Sequence, residues 1–218
     1  MEQQPVSTSR LPRPRGRAFT APVTKGPLNL VLFGPPGAGK GTQADRLALR
    51  LNVPKISTGD MLRKAVHDCS RVGALVHETL QRGGLVGDDL MISLVGERLE
   101  QPDTAKGCVL DGFPRTIPQA AALDALLADR GRVMVVALVV HGDEVVRRLA
   151  GRGRDDDEVF VIRERLAIYA KDTEPVLEYY RRRGAVTILD GNQPMDAVTD
   201  GIEEAVRARL KARRRTRD

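Results

Sequence analysis

The chain of 218 residues has no tryptophan and only 3% aromatic residues, so its core is packed from Leu, Val, Ile and Ala. Stacking platforms for single-stranded nucleic acid are therefore scarce. Its two cysteines, Cys69 and Cys108, lie 39 positions apart with neither a CxxC pair nor a nearby histidine. That spacing suggests neither a zinc site nor a disulfide framework and fits a reducing compartment. No apolar run approaches the roughly 20 residues that span a bilayer, and the stretch 133–140 reads as a buried strand. The first residues lack the apolar segment of a secretion signal, which argues against secretion. They also lack acid, with none between Glu2 and Asp45.

The formal charge of +6 invites a nucleic-acid reading until it is located along the chain. Residues 1–28 carry five basic residues (Arg10, Arg13, Arg15, Arg17, Lys25) against Glu2, and residues 205–218 carry seven against Asp218. The middle is left with 23 basic and 27 acidic residues, a net of −4. The tails are expected to be solvated ends, with contact to an anionic polymer or membrane as the alternative. An Arg-rich, acid-poor start is also the bias of an organelle transit peptide, although Pro5, Pro12, Pro14, Pro22 and Pro27 spoil an amphipathic helix there. The expected location is the cytoplasm, with organelle targeting as the alternative.

The length allows one sizeable α/β core. Strand signals recur at 28–33, 54–57, 107–111, 133–140 and 187–190, separated by helical stretches at 42–51, 60–66, 74–82, 88–100, 118–129, 143–150, 158–183 and 196–213. Short buried strands alternating with helices predict a parallel sheet, and Pro175 predicts a bend in the long helix.

The first strand runs into Gly34-Pro35-Pro36-Gly37-Ala38-Gly39-Lys40-Gly41-Thr42. Its glycines let successive backbone N–H groups converge on one point at the start of a helix, and Lys40 adds a point charge, which together make a phosphate cradle. Gly41 stands where the usual pattern has Ser or Thr, and Thr42 follows one residue later. Beyond the second strand comes Ser57-Thr58-Gly59-Asp60, where Ser57 or Thr58 could do no more than cap a helix. After the third comes Asp111-Gly112-Phe113-Pro114-Arg115, with Gln119 four residues on. An Asp in that place can hold Mg²⁺ through water, and Arg115 can form a bidentate pair with phosphate; a two-proline turn is the plainer account. The segment 147–157 packs Arg147, Arg148, Arg152 and Arg154 with Asp155, Asp156 and Asp157 around Gly151 and Gly153, and charged hinge and surface loop both remain open. Arg165 would share a helix face with Arg154 if the helix began early, since eleven residues make about three turns.

Taken in order, Gly34 to Thr42, Ser57 to Asp60, Asp111 to Arg115 with Gln119, Gly151-Arg152, and Arg154-x-Asp156-Asp157 with Arg165 resemble the adenylate kinases, which interconvert ATP, AMP and ADP. The resemblance covers roughly residues 28–204. It implies a phosphate-loop NTPase-like, three-layer α/β/α fold with a five-stranded parallel sheet. A helical monophosphate-binding insertion at 57–86 and a very short lid at 151–157 would complete it. Outside the resemblance, 1–27 reads as a basic, Pro-rich, disordered extension and 205–218 as a basic helix end or tail.

By the same resemblance, Gly37, Ala38, Gly39, Lys40, Gly41 and Thr42 would wrap the ATP phosphates. Arg148 would stack on the adenine of ATP, Arg152 would touch its phosphates and Gln193 would contact the base through backbone. Thr58, Arg63, Gly84, Leu85, Val86, Gly112, Phe113, Pro114, Arg115 and Gln119 would form the AMP site. Arg154 and Arg165 would clamp the AMP phosphate, Asp156 and Asp157 would orient the arginines, and Asp111 would position Mg²⁺ through its water shell. Catalysis would then rest on Lys40, Arg115, Arg152, Arg154, Asp156, Asp157 and Arg165.

The phosphate of AMP is already an anion, so the chemistry needs no general base. His67, His77 and His141 accordingly lie outside every motif. The insertion of about thirty residues that long-lid relatives carry between two lid arginines is reduced here to Gly153, so no structural zinc is expected. Gln193 stands where relatives often have Lys. A UMP/CMP kinase is the nearest rival, disfavoured by Thr58 and by Thr116 with Gln119; a phosphate-loop ATPase using basic tails on nucleic acid is the more distant one. Nucleotides are the expected partners, nucleic acid and membrane are not, and a monomer is the expected state.

Overall fold

A computed structural model describes residues 27–131, 133–151 and 158–215. Among these, five strands form one parallel sheet: β1 (Leu28–Phe33), β2 (Lys55–Ser57), β3 (Gly107–Asp111), β4 (Val133–Val139) and β5 (Val186–Asp190). Their order across the sheet is β2-β3-β1-β4-β5. β1 therefore sits centrally, with Leu30 opposite Val109 on one side and Met134 on the other. The connection from β1 runs to β2 on one side and that from its neighbour β3 crosses to β4 on the other, which opens a crevice beyond the carboxyl ends of β1 and β3.

Both faces of the sheet are covered, and the two-residue period of the strands assigns each side chain to a face. Leu30, Leu32, Val109, Val136 and Leu138 pack with Leu47 of α1 (Lys40–Leu51) and with Ile202 and Val206 of α9 (Met195–Arg215). Val31, Phe33, Leu110 and Val135 pack the other way. Their partners are Val95 of α4 (Asp88–Leu99), Leu123 of α5 (Ile117–Leu126) and Tyr180 of α8 (Glu174–Arg181). The result is the expected three-layer arrangement.

Between β2 and α4, helices α2 (Thr58–His67) and α3 (Arg71–Gln81) pack against each other. Gly73 permits this closeness, since a Cβ there would lie 2.0 Å from the carbonyl oxygen of Ala65. On the far side of the crevice, α6 (Gly142–Ala150) and α7 (Val159–Ile168) bury Val145, Leu149 and Ile162 together.

The bend expected at Pro175 takes a different form. A π-helical turn at Tyr169–Thr173 precedes it, and the Glu174 N–H pairs with the Tyr169 carbonyl. Proline lacks an N–H and crowds the carbonyl four residues back, so one widened turn shifts the ladder and leaves Pro175 in the first turn of α8. The basic C-terminal run is helical through Arg215, two residues beyond the helical stretch read from the sequence. No helix among the described residues is long and apolar enough to cross a membrane.

Candidate active site

The loop between β1 and α1 turns on Gly37 and Gly39, whose φ angles of +82° and +88° lie in the left-handed region that favours glycine. Gly39 is the N-cap of α1 and offers no side chain to its first turn, so the amides of that turn are left to a ligand. Lys40 folds back over the loop, its Nζ donating to the carbonyls of Gly34 at 2.8 Å and Pro35 at 2.9 Å. The odd Gly41 has a local reason: a Cβ there would stand 3.3 Å from Oδ2 of Asp111. The end of β3 thus brings its carboxylate against the first turn of α1.

The turn after β3 is organised around one carbonyl. That of Gly112 accepts from Thr58 Oγ1 at 2.9 Å and from Arg115 Nε at 2.8 Å. Gly112 has φ +82°, and an added Cβ would meet Thr58 Oγ1 at 2.9 Å and Arg115 Nη2 at 3.1 Å. The Phe113–Pro114 peptide is cis. Arg115 is half-buried, and loss of water together with the nearby Arg165 guanidinium pushes its pKa down, with Asp111 opposing the shift and Arg63 adding to it. Among the described residues Arg63, Arg115 and Arg165 converge on this turn with Asp60 and Asp111 beside them, a basic surface that suits an anion.

Around it lies a depression whose lining includes Thr58, Arg63, Gly84, Leu85 and Val86, with Gly112, Arg115, Gln119 and Arg165 also on its wall. Phe113 and Pro114 line the adjoining hollow with Arg115, Arg165 and Lys40. Both adjoin the main cleft of about 660 Å³, which reaches from Arg63, Arg115 and Arg165 past the phosphate loop and Asp111 to Arg148 and Gln193. The structure therefore brings together the described residues that the sequence motifs singled out.

On the α6 side, Arg148 donates from Nε to Glu144 Oε1 at 2.6 Å and from Nη2 to the Gly191 carbonyl at 3.0 Å. Hydrogen bonds from Arg147 and Arg148 hold the Glu144 carboxyl at about 2. Gln193 follows Gly191 in the loop after β5 and lines the same cleft wall.

Of the two caps the sequence offered for α2, Ser57 is the one used, accepting from the Asp60 N–H at 3.3 Å, which frees Thr58 for Gly112. The ion pairs of Asp60 escaped sequence reasoning. Asp60 forms ion pairs with Arg63 and, at 3.3 Å, with Lys55, which also reaches Asp45 at 2.9 Å. Burial opposes charge on Asp60, but Arg63, Ser57 and Lys55 outweigh it and hold the carboxyl at about 2, against an ordinary 3.8. A depressed carboxyl stabilises the fold fully above its unfolded value and loses that contribution as pH falls towards about 2. Asp60→Asn is therefore expected to flatten the acid limb of a melting-temperature profile below pH 4 and to leave the limb above pH 6 parallel to the wild type. The contacts of Asp88 with Thr116 and Gln119 were also missed. The only signal available was its place in the first turn of a helix.

Arg152, Arg154, Asp156 and Asp157 lie outside the described residues. The shared helix face suggested for Arg154 and Arg165 therefore also falls outside them; α7 is described from Val159.

Fold and cleft define a phosphate-loop α/β nucleotide-binding protein with a second, arginine-lined anion pocket beside the loop. A model of the adenylate kinase family matches residues 32–185. The adenylate kinase of Caulobacter sp. (strain K31) is 45% identical over 185 residues, spanning 82% of this chain and 98% of that protein. That of Methanocella arvoryzae is 41% identical over 213 residues, 83% and 99% of the two chains. Adenylate kinase 1 of Synechocystis sp. is 44% identical over 180 residues, 82% and 96%. The chain belongs to the adenylate kinase family. Since 83% of 218 is about 181 residues, the Methanocella comparison runs over about 32 positions that this chain does not fill; the Caulobacter comparison, at about 179 of 185, leaves about 6.

Proposed function

We propose that the protein catalyses the reversible, Mg²⁺-dependent transfer of the terminal phosphoryl group of ATP to AMP, giving two ADP. The carrying observation is that one cleft joins the phosphate loop to a second pocket ringed by Arg63, Arg115 and Arg165. A phosphate-loop ATPase needs no second anion pocket.

ATP brings about four negative charges and AMP about two, and they must meet in line with little covalent help from protein. In this reading Gly37 to Thr42 cradle the ATP phosphates through backbone N–H groups. Lys40 moves from the Gly34 and Pro35 carbonyls to the transferring group. Arg148, held edge-on by Glu144 and Gly191, offers the flat face of its guanidinium to the adenine, with the backbone around Gln193 beside it. Thr58, Gly84 to Val86, Gly112 to Pro114 and Gln119 shape the AMP pocket. Arg63, Arg115 and Arg165 hold its phosphate. Arg152 and Arg154, with Asp156 and Asp157 to orient them, would complete the clamp from the lid at 151–157.

The donor set fits Mg²⁺. Among the described residues no three His, Cys, Asp or Glu side chains gather, and the Asp111 carboxylate stands against Gly41 of the loop. Mg²⁺ keeps several waters and takes its remaining oxygens from phosphates, so one carboxylate beside the cradle suffices to orient its water shell. Bound there, Mg²⁺ would neutralise charge on the outer phosphates of ATP.

The insertion at 57–86 and the lid are the segments proposed to close and exclude water. The reduced size of the lid is read from the sequence, where Gly153 alone separates Arg152 from Arg154. A cytoplasmic monomer is the proposed form.

Gly112→Ala is expected to raise the KM for AMP at least about tenfold with little change in the KM for ATP, because its Cβ would displace both Thr58 and Arg115. Steady-state kinetics with each substrate varied in turn measures this. The function itself is tested by supplying ATP with AMP, UMP or CMP separately. ADP formed with AMP alone supports the proposal; formation with UMP or CMP instead favours the rival kinase, and hydrolysis stimulated by nucleic acid favours the ATPase.

A further inference from the structure

Gln119 is almost wholly buried at 2% exposure, yet it lines the pocket that also holds Leu62, Leu80, Val86 and Met91. Those apolar walls suit a flat ring, and the amide is their polar end. Its orientation is set from both sides. Oε1 accepts from the Arg115 backbone N–H at 2.8 Å, and Nε2 donates to Asp88 Oδ1 at 2.8 Å. An N–H can only donate and an ionised carboxylate can only accept, so turning the amide over would set donor against donor and acceptor against acceptor. The same Asp88 oxygen also accepts from Thr116 Oγ1 at 3.0 Å, and that hydroxyl in turn caps α5 by accepting from the Gln119 N–H at 3.3 Å. Asp88 thus ties the start of α4 to the start of α5 and to the amide between them.

One N–H and one lone pair of the Gln119 amide remain. Side by side they match the ring nitrogen and amino group on the edge of a 6-aminopurine; a 6-oxopurine presents a donor and an acceptor in the reverse places. We propose that Asp88 is the positioning residue that fixes the sense of the Gln119 amide, and that this lets the pocket accept adenine and refuse 6-oxopurines. The inference rests on the reading that this pocket takes AMP. Asp88 touches no substrate and acts through Gln119.

Discrimination is read as the ratio of kcat/KM for AMP to that for inosine monophosphate. Asp88→Ala removes the acceptor, so the ratio is expected to fall at least about tenfold, with the KM for AMP raised and the KM for ATP within about twofold of wild type. Asp88→Asn keeps an oxygen facing Nε2 and is expected to hold the ratio within about threefold of wild type. Asp88→Leu, which fills the space but offers no acceptor, serves if the alanine variant does not fold. Because Asp88 works through Gln119, Asp88→Ala combined with Gln119→Ala is expected to discriminate no worse than Gln119→Ala alone. An unchanged ratio in Asp88→Ala or Asp88→Leu, or losses that multiply in the double variant, would overturn the proposal. A wild type that phosphorylates no AMP would instead refute the function itself.

Discussion

Replacing Arg115 with alanine is expected to slow turnover at least about a hundredfold while leaving the melting temperature unchanged or higher. The two halves have one cause. The Arg115 guanidinium gives up water on folding and stands near Arg165, so the folded state disfavours its charge. A base whose pKa is lowered by folding destabilises the fold at every pH where it stays protonated, which for arginine includes neutrality. That cost is recovered only when phosphate arrives, and most fully when charge spreads over the transferring oxygens. Arg115→Lys is expected to restore little of the rate, because a single ammonium cannot keep the Nε bond to Gly112 and present two further donors in one plane. Thermal melts beside steady-state rates check both halves; a variant that melts earlier and turns over normally would remove Arg115 from the clamp.

Lys40→Met is the second large effect, with turnover expected to fall at least about a hundredfold. Methionine is of similar length and unbranched, so the strand, loop and helix around it should keep their packing. What disappears is the ammonium that bridges the Gly34 and Pro35 carbonyls at 2.8 and 2.9 Å. Its place at the first position of α1 lets the same group reach either the loop carbonyls or a phosphate lying over the loop. Rates measured at saturating ATP separate lost transition-state contact from weaker binding. Near-normal turnover there would contradict the role given to Lys40.

Much of this was legible in the sequence because it is carried by contiguous runs. The phosphate loop needs glycines at fixed offsets after an apolar strand, and those offsets are local. Gly112 and Arg115 lie within one turn, so a single short segment encodes their geometry. The strands could be read for the same reason: in a sheet covered on both faces they are short apolar blocks, such as Leu28–Phe33 and Val133–Val139. Contacts between distant segments were not legible. Asp88 meets Thr116 across 28 positions and Gln119 across 31, and an Asp in the first turn of a helix already has a sufficient local explanation. The Lys55 bridge from Asp45 to Asp60 likewise joins separate elements. Pro175 signalled a break in the helix but not its form, because a kink and a π-turn answer the same missing N–H.

In an adenylate kinase the phosphoryl group passes from one bound nucleotide to another rather than to water. ATP labelled in its terminal phosphate, incubated with the full chain, Mg²⁺ and AMP, tests it most directly. The label is expected in the β-phosphate of ADP, with two ADP formed for each ATP consumed, and little inorganic phosphate is expected when AMP is omitted. Label released as inorganic phosphate at the same rate with or without AMP would contradict it.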